Sequence, residues 1–328
     1  MNASAVHTVA VVVPVYRGEN TIASLVSELQ PYTTRTTTPG GAAFEVAEII
    51  LVHDQGPDRS EHELLELQSS LDVVRVVWLS RNYGQDAATI AGMAASESEW
   101  IVTLDEDGQH DPSYIGAFLD SALGDGSDLV YSAPTNPPPH GLLRNFTSKT
   151  AKSVIAKVFA LPSSKFQSYR LIRGEIGRKL ADVASSGVYL DVALSWVVGR
   201  MSTVPVRLRA EGRDESGYNY RSLFSLFWKM VLSSGTRGLR IVSMLGLVLA
   251  SGGFVGAGYI ITLTLSGVGE VPGWSSLMVV VLLCSGAILF SLGMIAEYLG
   301  VVLHVLIGRP LYLAVTRPHP RHRKEGAR

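Results

Sequence analysis

Short apolar runs alternate with amphipathic stretches from the amino terminus to Tyr131. The runs have the length and branched composition of buried β-strands, and they are Val9–Val13, Val46–Val52, Val73–Leu79, Trp100–Leu104 and Asp128–Tyr131. Between them, apolar residues at helical spacing predict helices near Thr21–Leu29, Glu61–Ser69 and Asp86–Ser96. Because strands that alternate with helices form parallel sheets with crossover helices, this half of the chain is predicted to be an α/β domain.

One stretch of low complexity interrupts the alternation. It is Pro31–Gly41, rich in threonine, between the first helix and the second strand. A segment of this composition has little apolar surface to bury. We therefore expect a mobile surface loop without a function.

The fourth apolar run ends in three consecutive carboxylates. Asp105, Glu106 and Asp107 follow it directly, at the sheet edge where open α/β folds bind ligands. Side chains two residues apart in an extended chain point the same way, so Asp105 and Asp107 can jointly hold a hard divalent cation that bridges two phosphates. This is the chemistry of a nucleotide-diphosphate sugar site, and a solvated acidic turn is the alternative.

The other predicted strands also end in polar turns at this edge. Pro14 ends the first strand, and Tyr16 and Glu19 follow where a nucleoside could stack and hydrogen-bond. Asp54 ends the second strand, and Gly84 allows a tight turn after the third. Turns favour such residues for structural reasons alone, but four polar turns at one edge favour a binding site.

Composition limits the class of protein. The chain has 328 residues, enough for one or two domains, and its net charge of -1 argues against a nucleic-acid partner. Hydrophobic residues make up 47% and charged ones 17%, and the apolar excess lies in the last third. Cys284 is the sole cysteine, which excludes an intrachain disulfide and is typical of a packing residue. The amino terminus has no signal-peptide pattern, so the first half should stay in the cytoplasm.

The last third of the sequence has the pattern of a membrane anchor. Tyr220–Leu232 is predicted to be an amphipathic helix at the membrane interface. Ile241–Leu265 and Leu277–Ile295 carry no charge and approach the ~20 residues that cross a bilayer, which predicts two transmembrane helices joined by Ser266–Ser276. A buried globular hairpin is the alternative.

Basic residues give the orientation of these two predicted spans. Lysine and arginine flank the pair on both sides, whereas the connecting turn has only Glu270. The flanking basic residues are Lys229, Arg237, Arg240, Arg309, Arg317, Arg321, Arg323 and Lys324. By the positive-inside rule, the catalytic domain and both termini should lie on the cytoplasmic side of the cell (inner) membrane.

The turns VPVYRGEN, VHDQGPDRS, LSRNYGQDAA and LDEDGQHDP resemble glycosyltransferase family 2 in their order and spacing. They are most similar to those of dolichyl-phosphate mannose synthase and the bacterial polyprenyl-phosphate glycosyltransferases. The resemblance implies a GT-A catalytic domain of Rossmann-like α/β type and a Mg²⁺ or Mn²⁺ cofactor. The donor residues that it implies are Pro14, Tyr16 and Glu19 around the nucleoside, Asp54 at the base, Asp105 and Asp107 on the metal and diphosphate, and Gln109 near the sugar.

Basic residues are candidates for binding the acceptor phosphate. Gly141–Leu161 is predicted to be a basic amphipathic helix that includes Arg144 and Lys149, and an ordinary surface helix is the alternative. The family resemblance implies that Arg170 faces the acceptor phosphate, and it extends to Arg209 and Arg213. Ser168 stands where many relatives carry an acid, so no general base is assigned; a phosphate with a second pKa near ~6 is already nucleophilic.

The sequence thus predicts a membrane glycosyltransferase with four parts: catalytic domain 1–218, interfacial helix 219–238, transmembrane hairpin 239–304 and basic tail 305–328. It would transfer one sugar from a UDP- or GDP-linked donor to undecaprenyl or dolichyl phosphate, with the inversion that the resemblance implies. A homo-oligomer is compatible with this prediction. A processive polysaccharide synthase and a catalytically silent membrane scaffold are the alternatives.

Overall fold

The computed structural model describes residues 6–136, 167–184, 189–209, 273–307 and 310–316, with scattered positions between 246 and 266. The chain divides into two compact units. The first consists of Met1–Leu223 together with Pro310–Arg328, and the second is Phe224–Arg309. The first unit contains the sheet and all the donor-site candidates.

Nine strands of the described residues form one sheet. They are β1 His7–Val15, β2 Thr36–Thr37, β3 Ala43–His53, β4 Val74–Leu79, β5 Trp100–Thr103, β6 Leu129–Pro134, β7 Arg170–Arg173, β8 Met201–Val206 and β9 Ala314–Val315. Their order is β8-β6-β7-β5-β1-β3-β4-β9, and β2 pairs with β3. Strands β4, β3, β1 and β5 are parallel neighbours, as the alternating pattern predicts.

The sheet is mixed rather than wholly parallel. Strand β7 runs antiparallel between β5 and β6, with Arg170 opposite both Thr103 and Tyr131. Its four residues, Arg-Leu-Ile-Arg, are too short and too charged to stand out as a strand in the sequence. The predicted fifth strand, β6, is therefore separated from β5.

Seven helices lie in the described residues. They are α1 Ile22–Leu29, α2 Ser60–Ser70, α3 Gln85–Ala95, α4 Ile115–Asp125, α5 Gly174–Val183, α6 Leu190–Val197 and α7 Trp274–Leu306. Helix α3 lies close to the sheet because Ala87, Ala88 and Gly92 are small and buried. A Cβ atom at Gly92 would lie 2.3 Å from Cγ1 of Val12.

The stretch Pro31–Gly41 is a folded part of the sheet edge, so the prediction of a loop that cannot bury anything is wrong. Strand β2 pairs with Ala43 and Phe44 of β3. Thr38 is buried; its hydroxyl donates to Oδ1 of Asp120 at 2.5 Å, and the Gly40 N–H donates to Oδ2 of the same carboxylate at 2.7 Å. Hydrogen bonds to the Asp120 side chain of helix α4 thus hold this segment, which has few apolar side chains to bury.

The end of the chain returns to the catalytic sheet. Strand β9 pairs antiparallel with β4, Val315 opposite Trp78 and Ala314 opposite Leu79. The Ser80 N–H also donates to the Leu313 carbonyl at 2.9 Å. The predicted basic tail 305–328 therefore contributes a strand to the first unit.

Helix α7 is 33 residues long and lies within the second unit. Large apolar side chains along it are exposed, among them Leu277, Leu289, Leu299 and Leu306. Cys284 is also exposed, so its prediction as a packing residue is wrong. Among the described residues, no helix has both the length and the apolar character that crossing a membrane requires, and the two predicted spans are not confirmed. The predicted interfacial helix and most of Ile241–Leu265 lie outside the described residues.

Candidate active site

Burial alternates along the three carboxylates that follow β5. Asp105 and Asp107 are partly exposed, whereas Glu106 between them is buried. The backbone here continues the strand direction, since the Leu104 N–H donates to the Val12 carbonyl at 3.0 Å. Two carboxylates are thus accessible at the carboxyl edge of the parallel strands, and one is directed into the protein.

Glu106 fixes the turn between β1 and α1. Its carboxylate accepts the Tyr16 N–H at 2.9 Å and the Arg17 N–H at 2.9 and 3.1 Å. The sequence analysis missed this role, although the period of two in an extended chain places the middle residue of such a triplet opposite its neighbours. Glu106 therefore joins the predicted nucleoside turn to the predicted metal turn.

The Asp105 carboxylate is hydrogen-bonded on both oxygens. Gln85, the first residue of α3, donates its amide to Oδ1 at 2.5 Å, and the Ser168 hydroxyl donates to Oδ2 at 2.6 Å. The Asp105 N–H donates to Nδ1 of His110 at 3.0 Å. His110 is buried and stacks on Tyr169 with ring centroids 4.8 Å apart.

Asp107 and Gln109 share a tight turn. Oδ1 of Asp107 accepts the Gln109 N–H at 3.0 Å, and Gly108 between them has φ of 77°. The Gln109 carbonyl accepts the Arg209 N–H at 3.0 Å. The segment after β8 therefore meets the turn that carries the candidate sugar residue.

Asp54 connects the turns after β3 and β4. It is 3% exposed, and its two oxygens accept the Tyr83 N–H at 2.7 Å and the Gly84 N–H at 2.8 Å. Burial raises the pKa of this carboxyl, and the two backbone hydrogen bonds oppose the rise without cancelling it. The predicted contact of Asp54 with the base stays a prediction.

The other nucleoside candidates lie at the same edge. Pro14 is the penultimate residue of β1, and Tyr16 just beyond it is 38% exposed. Oε2 of Glu19 accepts the Arg59 N–H at 3.1 Å. An accessible aromatic ring and a fixed carboxylate suit stacking and hydrogen bonding, and their roles with a nucleoside stay predictions.

Arg170 is buried within the sheet. Its guanidinium forms an ion pair with Asp191, and its Nε–H donates to Oγ1 of Thr103 at 3.2 Å. The Tyr131 hydroxyl also donates to Asp191, at 2.9 Å, and burial raises the pKa of this phenol, which keeps it a donor. The prediction that Arg170 meets an acceptor phosphate is untested, and the structure gives this side chain interior partners.

Arg209 lies between two carboxylates. It contacts Glu28 of α1 at 2.6 Å and Asp111 at 2.9 Å. Partial burial raises the pKa of Asp111, but its hydrogen bonds with Ser113 and Arg209 outweigh this and hold the pKa below the usual range. The other acceptor candidates, Arg144, Lys149 and Arg213, lie outside the described residues.

Asp105 and Asp107 are suited to a metal ion that takes some of its ligands from the enzyme's substrate. In the described part of the chain, the one cluster of three potential ligand side chains is His62, Glu63 and Glu66 on α2, and it includes neither Asp105 nor Asp107. Mg²⁺ commonly binds through one or two carboxylates together with substrate phosphates, and keeps its remaining ligands as water. Two partly exposed carboxylates beside a nucleotide site fit that pattern.

The family model for glycosyl transferase family 2 matches residues 10–177, a range that runs from within β1 past β7. The chain belongs to this family. An uncharacterized glycosyltransferase of Synechocystis sp. is 26% identical over 306 residues, with 93% of each chain covered. The family assignment makes the protein a nucleotide-sugar glycosyltransferase, while the likeness to dolichyl-phosphate mannose synthase is not confirmed.

Solved structures with a similar fold include glucosyl-3-phosphoglycerate synthase from Mycobacterium tuberculosis. Its complex with Mn²⁺, UDP and glucosyl-3-phosphoglycerate has a TM-score of 0.50 at 19% identity, covering 70% of this chain and 80% of that one. Its complex with Mn²⁺, UDP-glucose and phosphoglyceric acid has a TM-score of 0.51 at 18% identity, covering 71% and 80%. These GT-A structures bind Mn²⁺ together with UDP, which is consistent with a divalent metal cofactor for this chain.

Proposed function

We propose that this family 2 glycosyltransferase transfers a single sugar from a nucleotide-diphosphate sugar to a polyprenyl phosphate. The reaction takes place at the cytoplasmic face of the cell membrane and inverts the sugar's configuration. The catalytic unit supplies the donor site, and the second unit holds the protein at the lipid.

The donor half of the proposal follows from the turns at the sheet edge. Tyr16 and Glu19 lie at the nucleoside, Asp105 and Asp107 at the diphosphate, and Gln109 beside the sugar. A divalent cation bound there would neutralise the charge that grows on the departing nucleoside diphosphate. Glu106 keeps the nucleoside turn and the metal turn together through its bonds to the N–H groups of Tyr16 and Arg17.

The apolar surface of α7 is the observation that carries the acceptor half. Leu277, Leu289, Leu299 and Leu306 are 64%, 69%, 64% and 78% exposed. Soluble monomers rarely expose so much contiguous apolar surface, because its hydration is unfavourable. Contact with lipid removes that cost, and an enzyme held at lipid can meet a long polyprenyl chain through its phosphate headgroup.

The chemistry of the acceptor agrees with the residues beside the donor site. The Ser168 hydroxyl donates to Asp105 at 2.6 Å and is no general base at neutral pH. A phosphate monoester needs none, since its second pKa near ~6 leaves much of it dianionic. Arg209, with Arg144, Lys149 and Arg213, forms the proposed basic set for this phosphate. Arg170 is outside that set, because its guanidinium is buried and paired with Asp191.

A donor screen tests the proposal. Membranes containing the protein would be incubated with radiolabelled UDP- and GDP-sugars, with and without undecaprenyl or dolichyl phosphate, and lipid extracts would be separated by chromatography. We expect one labelled lipid that carries a single sugar through an acid-labile phosphodiester, and none from Asp105→Asn membranes.

Three results would reject the proposed acceptor. A ladder of longer saccharides would indicate a processive synthase. Label transferred to a water-soluble phosphorylated acid, such as the phosphoglyceric acid bound in the synthase of similar fold, would indicate a soluble acceptor. No transfer from any donor to lipid or to soluble acceptors would indicate a silent scaffold.

A further inference from the structure

Arg170, the first residue of strand β7, forms a buried ion pair with Asp191. Arg170 and Asp191 are 3% and 4% exposed, and the Tyr131 hydroxyl donates to the same aspartate oxygen at 2.9 Å. A charged pair removed from water is stable only when its remaining hydrogen-bonding groups are also satisfied. Arg170 has a further partner in Thr103, whose Oγ1 accepts the Nε–H of Arg170 at 3.2 Å.

Thr103 connects Arg170 to the active site through two hydrogen bonds. Its hydroxyl accepts from Arg170, which leaves its proton to be donated to the Ser168 carbonyl. The Ser168 hydroxyl in turn donates to Oδ2 of Asp105 at 2.6 Å. The buried Arg170–Asp191 pair is therefore connected to the carboxylate of Asp105 through Thr103 and Ser168, whose main-chain carbonyl accepts one hydrogen bond and whose hydroxyl donates the other.

We infer that Ser168 is a positioning residue for the metal-binding carboxylate of Asp105, and that Arg170 and Asp191 hold Ser168 in place through Thr103. The inference rests on the metal-binding part of the proposed function and not on its acceptor. It gives Arg170 a role inside the protein, distinct from the one that the family resemblance implies.

The hydrogen bonds on Asp105 leave it able to bind a cation. Each carboxylate oxygen has two lone pairs, and Ser168 and Gln85 each use one. One lone pair per oxygen remains for a metal, in a rotamer that two donors fix. Partners of this kind orient ligating carboxylates, and their loss typically lowers metal affinity about 10- to 100-fold.

A hydroxyl suits this position better than a carboxylate does. At 2.6 Å from Oδ2 of Asp105, a second ionised acid would repel the first. The Ser168 hydroxyl is a neutral donor, so it can fix the Asp105 side chain without placing a second negative charge beside it.

Mn²⁺ binding to the purified full-length protein tests the inference without any acceptor. Free Mn²⁺ would be titrated by electron paramagnetic resonance, with Mn²⁺ alone and with added UDP. Ser168→Ala removes the donor and should weaken Mn²⁺ binding about 10-fold or more. Ser168→Thr keeps the hydroxyl and should restore most of the affinity.

Two further variants separate positioning from general packing. Thr103→Val is nearly isosteric, breaks the connection between Arg170 and Ser168, and should also weaken Mn²⁺ binding. Ser195→Ala is the matched control, because that half-buried hydroxyl donates to the Val192 carbonyl at 2.6 Å within α6, and its loss should leave Mn²⁺ binding unchanged. Thermal unfolding of each variant would establish that it is folded.

Several outcomes would overturn the inference. Ser168→Ala that binds Mn²⁺ as tightly as the native protein would reject the role of Ser168, and so would a native protein that binds no Mn²⁺ in either titration. A Thr103→Val protein with native affinity would reject the part that extends to Arg170. If lipid transfer fails while Ser168→Ala still weakens Mn²⁺ binding, the acceptor proposal is rejected and the positioning role stands.

Discussion

At the scale of single residues, the Asp-Glu-Asp sequence divides into two functions. Glu106 accepts backbone N–H groups from the β1–α1 turn, and Asp105 and Asp107 are left accessible on either side of it. The buried carboxylate of Glu106 thus has hydrogen-bond donors inside the protein, as a buried charge requires. The accessible carboxylates are the ones available to a metal.

Replacement of either accessible carboxylate should abolish sugar transfer. Asp105→Asn and Asp107→Asn remove the charge that holds the cation but keep the size of the side chain, so we expect at least a 100-fold loss of turnover, on the order found when one electrostatic group is lost from an active site. Transfer assays and thermal unfolding would be measured together. EDTA should reproduce the loss in the native protein.

The matched control for these variants is Asp125→Asn, at the exposed end of α4. It changes net charge by the same amount and should keep full activity. Near-native turnover in Asp105→Asn or Asp107→Asn would contradict the metal assignment.

The hydrogen bonds of Asp111 with Ser113 and Arg209 give a pH dependence of stability. Because they hold the pKa of Asp111 below its unfolded value, they stabilise the fold above that unfolded value, and this contribution is lost as the pH falls through the folded pKa. Asp111→Asn cannot titrate. The native protein should therefore lose more stability than Asp111→Asn between about pH 5 and pH 2.

Urea unfolding over this pH range would measure the difference. Asp125→Asn serves again as the control and should follow the native curve. Parallel curves for the native protein and Asp111→Asn would show that the ionised Asp111, with its bonds to Ser113 and Arg209, does not stabilise the folded state.

Sequence reasoning identified the residue types at the site but not their partners. The positions of Asp105 and Asp107 follow from a local pattern, an apolar strand that ends in acids. The contacts of Asp105 with Gln85 and Ser168 join residues 20 and 63 positions apart, and no local pattern specifies such pairs. Arg170 illustrates the same limit, because its pairing with Asp191 depends on how β7 enters the sheet.

At the scale of elements, periodicity predicted the strands that are long and apolar. Strands β1, β3, β4 and β5 and helices α1, α2 and α3 lie within a few residues of their predicted bounds. The antiparallel β7 and the hairpin strand β2 were missed because they are four and two residues long, and pairing with neighbours rather than composition makes them strands. Side-chain bonds from Asp120 to Thr38 and Gly40 likewise hold a segment that has no apolar pattern.

The close packing of α3 on the sheet gives a prediction about stability. A Cβ at Gly92 would lie 2.3 Å from Val12 and 3.0 Å from Val52, so Gly92→Ala should destabilise the fold by about 1–3 kcal/mol. The control is Gly124→Ala in α4, where an added Cβ meets nothing within 4 Å. This change should stabilise the protein by roughly 0.5–1 kcal/mol.

Urea unfolding of both variants would give the two free energies. Similar effects of Gly92→Ala and Gly124→Ala would show that the distance between α3 and the sheet is less restricted than the contacts at Gly92 indicate.

At the scale of the whole molecule, the second unit is inserted in the sequence of the first, between strands β8 and β9. Strand β8 precedes the second unit along the chain and β9 follows it, and both belong to the same sheet. A sheet lies on one side of a membrane, so the chain must cross a bilayer an even number of times, or not at all, between Val206 and Ala314. Two spans satisfy this requirement, and a single span does not.

The pairing of β9 with β4 and the basic flanks independently predict that both ends of the second unit lie on one side of a membrane. Basic residues flank the two charge-free runs on both sides, and the pairing of β9 with β4 requires both flanks to be on one side. Alkaline phosphatase fused after Arg317 should be inactive if that position is cytoplasmic, as we predict, whereas a fusion within Ser266–Ser276 should be active outside. A fusion after Tyr218 is the reference for a position predicted to be cytoplasmic.

Two results would contradict the predicted topology. Activity after Arg317 would contradict both the orientation and the pairing of β9. Inactivity within Ser266–Ser276, in a protein that is expressed at the reference level, would show that the charge-free runs do not cross the membrane.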